Sequence, residues 1–431
     1  MNRLLKNVLL FVFCLSFTFL YACSTNNEVN DIQLLSTDPA ENAVIPISTD
    51  YITFVFNQSI AVADKAKITL NGNSVPDAFT YNETYLRVKI NSLASATDYT
   101  VLIDRGAIKD GSNNLNNGTF SLKFKTKDGA IIGGSVTQHG YLAVNGTALV
   151  DQQGKAVVLH GVSFGWHNWW PRFYSAATVA WLKSDWKCDV LRAAIGVEPT
   201  DPPGGYLINP TFALDHLYAV VDAAIENDMY VIVDWHAGDI HLNEARTFFQ
   251  TVAEKYKERP NIIYELFNEP DNESWSAVKA YAEELIKTIR AIASKNIILV
   301  GSPQWDQAVD KPAADPIKDY DNLMYTLHFY AGTHKQWLRD VATSALQKGL
   351  PIFVSECGGM EASGDGAIDK QEWQNWLQWM SDNQISWLAW SVSDKAETCS
   401  MVKDTSSPVS GWKDSDLKEW GQIVRTQLRT Y

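Results

Sequence analysis

Cysteine is scarce in this chain, with five in 431 residues. Cys14 and Cys23 fall in or at the end of an N-terminal apolar segment, which leaves Cys188, Cys357 and Cys399 for the body of the protein. None of them stands in a C-x-x-C pair, so they make neither a zinc site nor a disulfide framework. The pattern H-E-x-x-H is absent, and the acidic stretch from Asp365 to Glu372 lacks the ligand spacing of a calcium loop. No metal and no cofactor is assigned. Positive charge is short as well: 36 Lys and Arg against 50 Asp and Glu leave a net charge of −14. No basic stripe offsets it, so nucleic acid, whose phosphates this surface would repel, is excluded as a partner. What the chain has in excess is aromatic residues. Its 16 Trp and 17 Tyr exceed what a generic core needs, and indole faces stack well on the C–H faces of flat, ring-shaped ligands such as sugars.

The one strongly apolar N-terminal run, Val8 to Leu20, follows Arg3 and Lys6 and ends in Leu20-Tyr21-Ala22-Cys23. Residues 1–22 read as an export signal, too short and wrongly flanked for a lasting membrane span. Their end resembles a bacterial lipobox, with ordinary signal peptidase cleavage as the alternative. The resemblance implies that Cys23 is lipidated, that residues 23–30 are a tether, and that the protein is an exported lipoprotein anchored to a membrane, at the cell surface.

Residues 31–128 alternate apolar and polar side chains with period two, as in Ile52/Phe54/Phe56, Leu86/Val88/Ile90, Tyr99/Val101/Ile103 and Phe120/Leu122/Phe124. That pattern predicts the half-buried strands of a small antiparallel β-sandwich, with Asn71-Gly72 as a hairpin turn. The region resembles bacterial Ig-like modules that open on an Asp-Pro-Ala-Glu-Asn segment, here Asp38 to Asn42. It reads as a spacer, with glycan binding as the other reading.

Residues 129–140, with Gly133-Gly134, read as a linker. From 141 to 431 the pattern changes to apolar strand-like runs centred on Val158, Leu191, Ile232, Ile263, Ile298, Tyr325, Phe353 and Leu388, most of them separated by amphipathic helical segments. One such helix carries Val278, Tyr281, Leu285, Ile289 and Ile292 behind a Ser274 cap. Repeated strand-helix alternation predicts a (β/α)₈ TIM barrel of the α/β class. The rival, a doubly wound open sheet, is not supported, since no G-x-G-x-x-G follows the first strand.

A barrel of this kind assembles its active site from the C-terminal ends of its strands. Those ends carry Arg192, Asp234-Trp235-His236, Asn268-Glu269, Trp305, His328-Phe329-Tyr330, Glu356 and Trp390. Two strand-ending glutamates, Glu269 and Glu356, point to acid/base and nucleophilic chemistry at an acetal carbon.

The segment Asn261-Ile262-Ile263-Tyr264-Glu265-Leu266-Phe267-Asn268-Glu269-Pro270 resembles the signature of glycoside hydrolase family 5. So do Tyr230 to His236, Tyr325 to Gly332 and Trp390 to Lys395, and together they are most similar to its bacterial endoglucanases. The likeness covers Tyr141 to the C-terminus. It implies a retaining endo-β-1,4-glucanase, with Glu269 as general acid/base and Glu356 as nucleophile. Arg192 and Tyr330 would orient Glu356, and Asn268 would bind the sugar 2-hydroxyl. His236 and His328 would fix the carboxylates and the −1 sugar. Trp390 would floor the −1 subsite, Trp169 would stack at −2, Trp305 would serve the leaving-group side, and Lys395 and Glu397 would bond sugar hydroxyls. The implied partner is a β-glucan. Mannan, xyloglucan or mixed-linkage glucan under the same mechanism is the nearest rival, and a non-catalytic glycan-binding lipoprotein the rival of another class. In place of the family's Ser-x-His after the first strand, this chain reads Ser163-Phe164-Gly165-Trp166-His167, which leaves open whether His167 substitutes. Cys357 stands where many relatives have Trp.

Overall fold

The computed structural model describes residues 31–45, 49, 51–81, 83–90, 93–94, 96–126 and 135–431. The export signal, Cys23, the tether and the first part of the linker lie outside the described residues.

Residues 32–126 form two main sheets. The strand order is Leu34–Asp38, Tyr51–Phe56, Tyr85–Lys89, Asp77–Tyr81 in one, and Ala43–Ile45, Phe120–Thr126, Asp98–Ile103, Ile68–Leu70, Asn73–Ser74 in the other. Period-two alternation decides which side chains turn inward: Ile52, Phe54, Phe56, Leu86, Val88, Val101, Ile103, Leu122 and Phe124 are buried in one cluster. Asn71 and Gly72 both take positive φ, 48° and 79°, as a two-residue hairpin loop requires. One pairing departs from the antiparallel expectation. Ala43–Ile45 runs parallel to Phe120–Thr126, because it follows a strand of the opposite sheet and no hairpin forces it to reverse.

The second part is a closed barrel of eight parallel strands, in chain order. They are β1 (His160–Phe164), β2 (Val190–Gly196), β3 (Tyr230–His236), β4 (Ile262–Glu265), β5 (Ile298–Val300), β6 (Leu323–Tyr330), β7 (Ile352–Gly358) and β8 (Trp387–Val392). The helix Trp275–Arg290 shows how the surrounding layer is specified. The Ser274 hydroxyl accepts from the Ala277 N–H, and Val278, Tyr281, Leu285 and Ile289 turn toward the barrel and are buried.

Two features position the site. One end of the barrel is plugged: Val136, Leu142 and Leu149, from the short helix Ser135–His139 and the chain after it, pack with Tyr230, Ile232, Ile263, Leu299, Met324, Phe353 and Leu388. That helix lies inside the segment read as linker. The run centred on Val158 feeds the same plug, with Val157 and Leu159 buried there, so β1 starts later than the apolar run. The other feature is a bulge in β7. Along β6 the pairing advances two residues, Thr326 to His328, while β7 advances three, Phe353 to Glu356. The extra residue breaks strict alternation, so that Ser355 and Glu356 both reach the central polar cluster. Glu356 therefore sits within a strand that continues to Gly358, and not at its end.

Candidate active site

At the centre lies Arg192 on β2, fully buried. Its Nε donates to Glu265 Oε2 at 2.8 Å and its Nη1 to Glu356 Oε2 at 2.8 Å. Its Nη2 reaches Asn268 Oδ1 at 2.6 Å and Asp234 Oδ2 at 3.0 Å. One planar guanidinium thus registers residues from β3, β4 and β7 and the loop after β4, which its fixed fork of donors allows and a lysine would not. Because Asn268 spends its carbonyl on Arg192, its NH₂ faces the other way as a donor.

Glu356 is held at both oxygens. The Tyr330 hydroxyl donates to Oε1 at 2.6 Å while Arg192 takes Oε2. Burial first, then the Glu356 charge, pushes the Tyr330 phenol well above its ordinary value, so that it stays a donor. Glu269 is held at one oxygen, with His328 Nδ1 at 2.9 Å from Oε1, and its side chain is 24% exposed against 6% for Glu356. An oxygen of Glu269, one of Glu356 and a His328 nitrogen all lie within 4.8 Å of one another.

The supporting groups are buried and paired. Burial alone would raise Glu265, but Arg192 and then His328 bring it down to about 2. Ser355 Oγ donates to Glu265 Oε1 at 2.7 Å. Burial pushes Asp234 well up, and Glu265 and Glu356 beside it add to the effect against Arg192. His236, 2.7 Å from Asp234, is pushed by burial and then by Arg192 down to about 3, so its ring is neutral at pH 7. Glu265, Asp306 and His328, like Glu269, His328 and Glu356, could each bring three ligand atoms together. Arg192 and His328 already stand among these oxygens as cations and balance their charge.

The aromatic residues form a connected surface. Trp390 stacks on His236 at 5.3 Å and 11° between planes, His236 meets Trp166 edge-on at 4.6 Å, and Trp166 stacks on Trp169 at 4.6 Å. Trp169 and Trp305 are 48% and 50% exposed. Lys395 and Glu397 pair with each other at 2.6 Å, and the Cys399 thiol donates to Glu397. His167 is buried against Phe212 and His216, and its Nδ1 accepts the Gly196 N–H. Among the described contacts it touches neither glutamate; its neighbour Trp166 is the residue that meets His236. The Cys357 thiol is buried and donates to the Leu388 carbonyl.

This geometry agrees with what the chain is similar to. Residues 150–396 match the family described as Cellulase, glycosyl hydrolase family 5. The chain belongs to glycosyl hydrolase family 5. Residues 28–126 match the bacterial Ig-like domain. Endoglucanase Z of Dickeya dadantii is 46% identical over 296 residues, covering 67% of this chain and 66% of that protein. An endoglucanase of Clostridium saccharobutylicum is 40% identical over 296 residues, covering 67% and 65%. The chain thus spans just under two thirds of the length of these two relatives. A solved structure from Cytophaga hutchinsonii is 44% identical with a TM-score of 0.67, covering 69% of this chain and 97% of that one. The catalytic domain of a Thermobifida fusca endoglucanase is 33% identical with a TM-score of 0.65, covering 69% and 100%.

Within this family 5 barrel, Trp166, Glu265, Asp306 and Ser355 belong to the site although sequence reading left them out of it, and Asp234, noted only as part of a strand end, joins them by its contact with Arg192. Asp234 and Glu265 carry a usable signal, since each is a carboxylate within or closing a buried apolar strand, where a charge persists only if paired. Trp166, Asp306 and Ser355 carry none. Loop conformation and the β7 bulge bring them in.

Proposed function

We propose that this family 5 protein is a retaining endo-β-1,4-glucanase that hydrolyses internal bonds of cellulose or related β-glucans by double displacement. The observation that carries the reading is the unequal holding of two close glutamates. Oxygens within 4.8 Å fit the separation of about 5–5.5 Å used by retaining enzymes better than the ~6.5–9.5 Å that leaves room for an inverting water. Glu356, clamped at both oxygens by Arg192 and Tyr330, suits the nucleophile, which must stay ionised and aimed. Glu269, bound at one oxygen and more open, suits the group that gives and takes a proton.

In this mechanism a Glu356 oxygen attacks the anomeric carbon from the α face while Glu269 protonates the departing glycosidic oxygen. Water, deprotonated by Glu269, then attacks the glycosyl ester from the β face and releases Glu356. Asn268 directs its NH₂ to the sugar 2-hydroxyl, a contact that tightens in the oxocarbenium-like transition state. Trp390 forms the floor of the −1 subsite and His236 fixes that floor by stacking. Trp169 carries the −2 sugar, Trp305 the leaving-group side, and Lys395 with Glu397 the outer hydroxyls. Glucan is favoured as substrate because the relatives above are named endoglucanases. Anchoring at the cell surface through a lipid on Cys23 rests on the lipobox resemblance. Among the described residues no helix is long and apolar enough to cross a membrane.

The test is reducing-sugar release from a panel of soluble polysaccharides. Carboxymethylcellulose should be cut with rapid loss of viscosity. Faster cutting of mannan, xyloglucan or mixed-linkage barley β-glucan would reassign the substrate, and no cutting of any would leave a glycan-binding protein. Trp169→Ala should weaken binding of longer cello-oligosaccharides by roughly 1–3 kcal/mol and leave an aryl monoglucoside almost untouched. Calorimetry and kinetics with both ligands check it, and equal losses would make Trp169 a structural residue.

A further inference from the structure

Asp306 is fully buried, and nothing in the mechanism above uses it. It follows Trp305 in a turn whose backbone is held in the left-handed region at three successive non-glycine residues: Gln304 at φ 61°, Trp305 at 55° and Asp306 at 58°. L-residues rarely adopt that region in a row, and such a turn persists only where its surroundings over-determine it. Here they do. The Ser302 N–H donates to Asp306 Oδ1, and the Asp306 N–H donates back to the Ser302 carbonyl at 3.1 Å. The Trp305 N–H donates to the carbonyl of Pro270, the residue after Glu269, at 3.0 Å. A side chain on Gly301 would come within 2.8 Å of the Phe267 carbonyl and 3.0 Å of the Pro270 ring, so the turn and the Glu269 segment are in close contact.

The second oxygen of Asp306, Oδ2, is buried and lies 3.5 Å from His328 Nε2, and the Thr326 side chain also approaches the Asp306 carboxylate. The proton on that ring can be placed. Ser355 spends its hydrogen on Glu265 Oε1, so at 2.9 Å from His328 Nε2 its oxygen must accept, and Nε2 carries a hydrogen. On the opposite side, Nδ1 and Glu269 Oε1 share one hydrogen across 2.9 Å. When Glu269 is ionised that hydrogen sits on the ring, which is then a cation with Asp306 as counter-charge; burial pushes Asp306 well above the ordinary carboxylate value, and the His328 cation foremost, then the Ser302 N–H, oppose that push. When Glu269 is protonated the ring can be neutral.

We propose that Asp306 is a positioning residue for the acid/base carboxylate: acting through His328, it fixes where Glu269 points and on which side of the His328–Glu269 contact the shared proton rests. Because the same turn clamps the Trp305 backbone to Pro270, leaving-group platform and proton donor are held as one unit. This rests on the reading of Glu269 as acid/base. The charged groups facing His328 are Asp306 from the turn after β5, Glu265 from β4, Glu269 from the loop after it, Glu356 from β7 and Asp234 from β3. Burial alone would push His328 down. Asp306 foremost, then Glu265, Glu269 and Glu356, hold it well above the ordinary imidazole value.

Asp306→Asn in the full chain keeps the shape of the turn and removes the charge. His328 then gives up its second proton more readily, the shared proton stays on Glu269 to higher pH, and the alkaline limb of kcat/KM moves upward. With the ring less firmly placed, kcat/KM for a cello-oligosaccharide, whose departing sugar needs the proton, should fall about tenfold, a fraction of the ~10²–10⁴ attached to losing the acid outright. Dinitrophenyl cellobioside, whose leaving group needs no proton, should lose less than twofold. An unmoved limb, or equal losses on the two substrates, overturns the proposal. If the variant does not fold, ¹⁵N NMR of the imidazoles together with ¹³C NMR of the Glu269 carboxyl in the unmutated protein decides: both His328 nitrogens protonated wherever Glu269 is ionised supports the proposal, and a neutral ring beside an ionised Glu269 overturns it. Glu269→Ala separates the two layers. If it lowers both substrates equally, the acid/base reading fails; if it spares the dinitrophenyl substrate while Asp306→Asn does nothing, only the positioning role fails.

Discussion

Glu356→Ala should abolish turnover of glucan and, given an aryl cellobioside and azide, return an α-glycosyl azide. The reasoning is geometric. With the nucleophile gone no covalent intermediate can form, and the space opened between Arg192 and Tyr330 admits a small anion only from the α face, the side from which Glu356 attacks in the proposed mechanism. Azide then displaces the β-linked aryl group directly, with inversion. Glu269→Ala should behave in the opposite sense. Acid assistance is lost, on the order of 10²–10⁴-fold for a poor leaving group, yet an activated aryl cellobioside still glycosylates Glu356. Azide then meets that intermediate from the β face and yields a β-glycosyl azide. Proton NMR of the isolated azides distinguishes the anomers. Reversed products would exchange the two roles, and inverted sugar from the unmutated enzyme would remove double displacement.

The largest loss of stability is expected at Arg192. It is fully buried and bonded to Asp234, Glu265, Glu356 and Asn268. Arg192→Leu leaves the buried Asp234, Glu265 and Glu356 side chains facing one another without the guanidinium that pairs them, and breaking a buried ion pair by removing one partner costs about 3–5 kcal/mol. A fall of that order in unfolding free energy by urea denaturation is the expected result. Activity should fall with it, on the order of 10²–10³-fold, because Glu356 loses the group that holds its attacking carboxylate. Arg192→Lys should recover little, since one ammonium cannot meet four acceptors lying in different directions. A folded, fully active lysine variant would show that only the charge mattered.

Much of this protein is legible in the chain because its determinants are local. Period-two runs such as Ile52/Phe54/Phe56 declare the sandwich, and apolar runs alternating with helices such as Val278 to Ile289 declare the barrel. Both patterns follow from backbone geometry, which dictates which side chains can be buried together. Glu269, Glu356, His236, His328 and Trp390 are conspicuous for a related reason, since polar or aromatic groups closing apolar runs must meet in a closed barrel. Tertiary structure decided what depends on non-local registration. The β7 bulge, visible only against β6, brings Ser355 and Glu356 into one cluster where alternation alone would separate them. Whether His167 substitutes for the family's histidine was left open by the sequence and depends on a loop shaped by the strands beneath it: His167 turned into the core toward Phe212, and its neighbour Trp166 met His236. Nothing in the sequence marked Asp306, which three left-handed residues bury against His328. In each case the deciding energy is a contact between residues far apart in sequence, paid for only once the barrel closes, so no short stretch of the chain could announce it.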